Sequence, residues 1–202
     1  FSLDNDSILM WSEYSDFYGY CMEFDFEKLV AGIQKKTSYE LLHGQVIYDH
    51  KEQVSIIEKT IENEIIRHAP GFEYLNSWEE LDNLTDENIE DLYVWLSVLI
   101  DAYNMFFKLD CFKGENEYRM VFCCIHDGGR VNDDGREEQY FRIKNEVMIP
   151  FVKKRLVSLE ALESVMIGPK NKSDIAEKGL QYFFRNMKMD VKIHKSQMPI
   201  RY

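Results

Sequence analysis

Proline and glycine are scarce, with 4 Pro and 10 Gly in 202 residues. Collagenous, linker-like and many-turned all-β architectures are disfavoured by that shortage. Cysteine is scarce too: Cys21, Cys111, Cys123 and Cys124 contain no C-x-x-C pair, and adjacent Cys123 and Cys124 would alternate across a strand. No zinc or other metal site is therefore expected. Cys21 and Cys123 sit in apolar runs and read as small buried hydrophobes, suited to a reducing cytosol. No stretch approaches the roughly 18 consecutive apolar residues of a membrane helix. The histidines His43, His50, His68, His126 and His194 are scattered, with no pair at i, i+4, so neither a metal centre nor a Ser-His-Asp triad can be drawn. The opening Phe1-Ser2-Leu3-Asp4 has no Met and no basic-then-apolar signal pattern, and reads as a fragment or processed product of a soluble protein.

What is abundant is aromatic and acidic. With 13 Phe, 12 Tyr and 3 Trp, the chain is not wholly disordered, and its length suits one compact domain over residues 1–202. A net charge of −12 makes general nucleic-acid binding a poor expectation, because that binding runs on phosphate neutralisation. The charge is unevenly placed. Arg142–Tyr202 carries 13 Lys+Arg against 6 Asp+Glu, a net of +7, whereas Phe1–Phe141 carries 11 against 30, a net of −19. Either acidic and basic surfaces partly face each other, or the C-terminal third holds a site for an anionic ligand.

Strand and helix patterns alternate. Gly19–Phe26 and Leu41–Tyr48 read as strands, with a short amphipathic helix over Phe26–Lys36 between them. Lys51–Ala69 carries a Val54, Ile57, Ile61, Ile65 stripe and predicts a helix ended by Pro70-Gly71. Phe72–Asp91 reads as an acidic loop, and Glu87–Leu109 as a long, central, buried helix. Tyr118–Ile125 is β-like, Asp127–Glu138 is a polar hairpin loop, and Tyr140–Val157 gives one or two strands interrupted near Pro150. Leu159–Gly168 reads as a short helix running into a strand. A helix over Lys172–Met187, with Ile175, Leu180, Phe183 and Phe184, and a strand at Val191–Ile193 follow. The sum is a mixed α/β (α+β) fold: a mixed sheet flanked by several helices.

Three segments could carry chemistry. In Met10–Asp16, Trp11 and Tyr14 flank Ser12, Glu13 and Asp16, residues able to stack on a ring and hydrogen-bond its edges; a core Trp with a satisfied loop is the alternative. In Gly114–Arg119, strand alternation would put Glu115, Glu117 and Arg119 on one face. One carboxylate could pair with Arg119 and leave the other as a base or hydroxyl ligand, or the group is a structural ion pair. In Val165–Lys170, a strand enters a Gly-Pro turn before a helix, where backbone amides with Lys170 and Lys172 would suit an anion; an ordinary strand-to-helix turn is the alternative.

In this order the three segments resemble the bacterial domain-of-unknown-function family 2971, with its Met-Trp-Ser-x-Tyr-x-Asp segment before a Gly-containing strand, its Glu-x-Glu-aromatic-Arg strand and a late Ile-Gly-Pro turn. Here these are Met10–Asp16 with Gly19, Glu115–Arg119 and Ile167–Lys170, a match over nearly the whole chain. Glu13 stands where the family usually has His, so a role for that His would not carry over. The family's Asn-Asp-Pro-containing N-terminal portion is expected to be missing. The resemblance implies a bacterial cytosolic protein of defence- or toxin-effector type. Glu115-x-Glu117 also looks like the Glu-x-Glu of arginine-modifying ADP-ribosyltransferases, which implies NAD as a cosubstrate.

Function classes therefore diverge. As an enzyme acting on a nucleotide-like substrate, Glu117 would polarise the ribose hydroxyl, Glu115 would deprotonate the acceptor, Trp11 and Tyr14 (with Ser12 and Asp16) would bind the ring, and Arg119 or Lys170 would hold phosphate. As a non-catalytic sensor or protein-interaction module, the same motifs hold the fold. Nucleic-acid binding through the basic third is a third class.

Overall fold

The computed structural model describes residues 1–33, 39–61, 86–124, 139–144, 146–153, 156, 159–171 and 173–200. The chain divides into two compact units, one of Phe1–Leu3 with His43–Val121 and one of Asp4–Leu42 with Phe122–Tyr202. The class is mixed α/β, as the alternating patterns imply. Strands β2 (Tyr39–Gln45) and β3 (Tyr118–Cys124) pair with each other, and the unit boundary falls within both.

The second unit is built on a three-stranded sheet ordered β1 (Tyr20–Phe24), β6 (Leu162–Ile167), β7 (Lys192–Lys195). Central β6 runs antiparallel to β1 and parallel to β7. A parallel neighbour needs a crossover, supplied here by helix α5 (Asp174–Met187). Ser173 caps α5 by accepting from the Ala176 N–H, Asp174 and Glu177 sit in its first turn, and Lys188 closes it in the left-handed conformation. Val165 and Ile167 of β6 are fully buried, and Trp11, Leu29, Ala161 and Phe184 join them in the core. Helix α1 (Ile8–Ser15) and helix α2 (Phe26–Gly32) flank β1 in sequence, and the Asp25 side chain caps α2 through the Lys28 N–H. Strands β4 (Gln139–Lys144) and β5 (Val147–Val152) form a separate antiparallel hairpin.

In the first unit, Asp49 caps helix α3 (His50–Thr60) by accepting from the Glu52 N–H. Helix α4 (Asp86–Asn104) meets it through Thr60, whose hydroxyl donates to the Tyr103 hydroxyl at 3.0 Å. A 3-10 helix, Asp110–Glu115, leads into β3.

Several expectations are corrected. The long helix stops at Asn104, because the chain beyond it pairs with Ile47: the Ile47 N–H donates to the Phe106 carbonyl and the Lys108 N–H to the Ile47 carbonyl. It is not buried throughout, since Tyr93, Val94 and Val98 are exposed. Residues 159–161 form a turn rather than a helix, with the Ala161 carbonyl accepting the Asp25 N–H at 2.8 Å. Pro150 lies in register with Phe141 within β5; a two-stranded ribbon tolerates a missing N–H on an outer edge. The interruption falls instead at Glu146, whose φ is 64°. On α5, Phe184 is buried whereas Ile175 and Phe183 are exposed. Cys21 is half-buried and Cys111 exposed. The C-terminal part of the Lys51–Ala69 helix with its Pro-Gly stop, most of the Phe72–Asp91 loop and the Asp127–Glu138 loop lie outside the described residues. Among the described residues, no helix is long and apolar enough to cross a membrane.

Two glycines set how closely α1 and β6 approach. A Cβ on Gly19 would stand 2.4 Å from Ser15 Cβ, and one on Gly168 2.7 Å and 2.8 Å from the Phe17 and Gly19 carbonyl oxygens. Gly168→Ala is therefore expected to cost about 1–3 kcal/mol through overpacking against backbone. Gly179→Ala, on α5 with nothing within 4 Å, is expected to add about 0.5–1 kcal/mol through helix propensity. Urea denaturation of both variants checks the opposite signs.

Candidate functional site

The Glu-x-Glu-aromatic-Arg segment lies in the first unit, and the backbone there sorts its residues differently from strand alternation. Glu115 ends the 3-10 helix, Asn116 takes a left-handed conformation (φ 44°), and β3 begins only at Tyr118. Glu115 and Glu117 are gathered by a cation instead. Lys108 Nζ lies 2.6 Å from Glu115 Oε2 and 3.3 Å from Glu117 Oε2. Arg119 closes the other side of Glu117, with Nε donating to Oε1 at 2.8 Å and Nη2 to Oε2 at 3.0 Å, and its Nη1 donates to the Met105 carbonyl at 2.6 Å. Two carboxylates meet two cations, so the group is formally neutral.

The backbone of Glu117 is engaged as fully as its side chain. Its N–H donates to the Tyr48 hydroxyl and its carbonyl accepts the Val46 N–H, both at 2.9 Å. Ser2 bridges to Glu117 as a strand residue, flanked by hydrogen bonds from the Leu3 N–H to the Asn116 carbonyl and from the Tyr118 N–H to the Phe1 carbonyl. The Arg119 guanidinium holds the Glu117 carboxyl below its ordinary value, with Lys108 adding to it against partial burial. Arg119 is held above its own value by the same contact. Burial works against the Lys108 ammonium, but its hydrogen bonds to Glu115 and Glu117 outweigh that and raise it. A carboxylate so placed stays ionised at neutral pH, with both oxygens already accepting.

The other two segments meet in the second unit. Trp11 is 4% exposed, and its Nε1–H donates to Asp6 Oδ1 at 2.8 Å. Ser12 and Asp16 are exposed, and Tyr14 is 68% exposed. After α1 the backbone turns through Asp16 and Phe17, both at positive φ. The Gly168 N–H donates to the Gly19 carbonyl at 2.9 Å, and the Lys170 N–H to the Phe17 carbonyl at 3.1 Å. The Met10–Asp16 and Ile167–Lys170 segments are thus one structural feature. Lys170 Nζ stands over the Phe17 ring at 4.8 Å and 3.8 Å from Asp16 Oδ1; Lys172 lies outside the described residues.

Asp6 was not singled out by sequence reasoning. Besides Trp11, it accepts from the Ser196 hydroxyl at 2.6 Å and the Gln197 N–H at 3.0 Å. Partners about 190 positions away leave no local pattern. Burial alone would raise the Asp6 carboxyl, but the bonds from Ser196, Trp11 and Gln197 outweigh it and hold it below its usual value. Lys108 was likewise missed, being read as the tail of a helix. Asp6 also borders a cleft of about 720 Å³, lined further by Glu23, Met166, Glu177, His194 and Lys195.

Mixed α/β units carrying these segments define the class, and comparison with known families narrows it. The model of a family described as "Protein of unknown function (DUF2971)" matches residues 10–120, more than half of the chain, and the chain belongs to that family. The matched stretch takes in Met10–Asp16 and Glu115–Arg119, while Ile167–Lys170 lies beyond it. No curated protein and no solved structure matches the chain.

Both depressed carboxyls link stability to pH with the same sign. Each stabilises the fold fully above its unfolded value, near 4, and that contribution is lost as pH falls through the lower folded value. Thermal melts between pH 6 and pH 3 are expected to show a falling Tm for the wild type, with a shallower fall for Asp6→Asn. An equal slope in the variant would remove Asp6 from the acid response.

Proposed function

We propose that this chain is a non-catalytic sensor or protein-interaction module, in which the Glu-x-Glu-aromatic-Arg segment maintains the fold. The observation that carries the proposal is that both carboxylate oxygens of Glu117 are already engaged, by Arg119 on one side and by Arg119 and Lys108 on the other. Three donors fill three of the carboxylate's roughly four acceptor sites, and turning Glu117 toward a ribose hydroxyl would break charge-assisted bonds worth about 1.5–3 kcal/mol each.

Three further residues of the enzyme reading are committed elsewhere. The Trp11 ring has no open face for stacking, the Arg119 guanidinium is divided between Glu117 and the Met105 carbonyl, and Lys170 sits over Phe17 beside Asp16. No step through NAD is drawn from them. A protein partner suits the module better. Helix α5 exposes Ile175, Tyr182 and Phe183, and it belongs to the C-terminal third, which carries a net charge of +7. Exposed apolar residues on a helix of mixed charge, within a net basic third of the chain, suit a protein surface of complementary shape and charge.

The discriminating assay is nicotinamide release from NAD, with bacterial lysate as acceptor source, for the wild type beside a Glu117→Gln variant shown by circular dichroism to be folded. Neither protein is expected to release nicotinamide above the blank. Release by the wild type that falls at least tenfold in the folded variant would overturn the proposal and restore an ADP-ribosyltransferase-type effector.

A further inference from the structure

We infer that this chain associates with a second copy of itself by strand addition, the free edge of β4 in one copy pairing with the free edge of β1 in the other. This goes beyond the interaction reading: it names a partner, and it uses a surface other than α5. Both strands lie in the second unit, and each has one described neighbour, β6 for β1 and β5 for β4. A strand paired on one side presents N–H and C=O groups to a further strand on the other. The inward pairs fix which groups point outward. The Gly168 N–H donates to the Gly19 carbonyl, which makes Cys21 and Glu23 the next bonded positions of β1. Bonded and non-bonded pairs alternate, so Tyr20 and Met22 turn their backbone groups outward. Pro150 has no N–H to exchange with Phe141, so theirs is a non-bonded pair and the Phe141 and Ile143 backbone faces outward in β4. The β5 edge is the poorer one, because Pro150 leaves a donor missing on it.

The side chains match in the same register. Tyr20 and Met22 are 49% and 59% exposed, and Phe141 and Ile143 59% and 75%. Between these apolar residues β1 carries Cys21 and Glu23, whereas β4 carries Arg142 and Lys144. An antiparallel pairing that opposes Glu23 to Arg142 of the second copy sets Met22 against Ile143, with their outward backbone groups facing, and Cys21 against Lys144. Apolar residues then meet on one face and unlike charges on the other.

Charge selects this pairing over the alternatives. The Cys21 thiol is pushed up by burial and then by Glu23, Asp6 and Asp4, so the β1 edge is acidic. Glu23 accepts the Ser164 hydroxyl, a neutral donor. Lys192 shares the Glu23 face but lies beyond Ser164, on the opposite edge of the sheet, about 10 Å away on the strand spacing. On β4, Arg142 and Lys144 have no carboxylate within ion-pair distance among the described residues, and Glu146 stands at the hairpin turn, past the end of the pairing. Two β1 edges would bring acid to acid and two β4 edges base to base; β4 on β1 opposes unlike charges. The contact is heterologous, and each copy offers both edges, so the same pairing serves whether the assembly closes or extends.

Sedimentation equilibrium of the full chain, over a concentration series up to about 0.5 mM, well above a micromolar dissociation constant, tests this. The average mass is expected to rise above that of one chain with concentration, and to rise less at higher salt. Glu23→Arg and Arg142→Glu should each weaken association at least tenfold, because each opposes like charges. An equimolar mixture of the two variants should regain it, because each supplies the complement the other lacks. Glu13→Arg, at an exposed position on α1, should leave association unchanged. The inference is overturned by a single-chain mass at every concentration, by association that survives both charge reversals, by a mixture as weak as the separate variants, or by an equal loss in Glu13→Arg. Nicotinamide release would overturn the earlier proposal and leave these outcomes as they stand.

Discussion

Every polar group of Glu117 is committed, and the first unit is arranged around that residue. Its amide meets the Tyr48 hydroxyl, its carbonyl meets Val46, and its carboxylate is shared between Arg119 and Lys108. The N-terminal residues Phe1–Leu3 add their own backbone pairing on either side of it. The arrangement ties four separate stretches of chain to one position: the N-terminus, the segment after β2, the segment after α4, and β3. At partial burial each bond to the charged group matters more than a solvated surface pair would. Removing one member would leave the group with an unbalanced charge at partial burial.

The second unit meets a comparable demand with neutral donors and close backbone contact. Asp6 draws the start of this unit to Trp11 and to the segment after β7. Gly19 and Gly168 allow the turn after α1 to reach the end of β6 directly. A negative charge satisfied without a cation remains a negative charge, and this separates the cleft beside Asp6 and Glu23 from the neutral group at Glu117.

Local signals in the sequence were enough for the class and for most elements. Helix α5 was legible from its apolar spacing, β1 from its aromatic run, and β6 from Val165-Met166-Ile167. Legibility failed where distant backbone decided the outcome. The pairing of Ile47 with Phe106 and Lys108 ended α4 early, and the bond from Asp25 to Ala161 held a turn where a helix was expected. The site divides in the same way. An ion pair of Glu115 or Glu117 with Arg119 was readable from the sequence. The strand face meant to join Glu115 to it is broken by left-handed Asn116, and Lys108 could not be read because its role depends on the 3-10 turn that brings Glu115 back to it. Trp11 could be marked as important from its neighbours, yet whether its ring faced solvent or core rested on Asp6, Ser196 and Gln197, which no local pattern connects.

A double-mutant cycle between Glu117 and Arg119, using Glu117→Gln, Arg119→Met and the pair, measured by urea unfolding, tests the central claim most directly. If Glu117 is the structural junction described, the two substitutions should couple by about 1–3 kcal/mol, with each single variant clearly destabilised. A coupling indistinguishable from zero, with a Glu117→Gln variant as stable as the wild type, would contradict it.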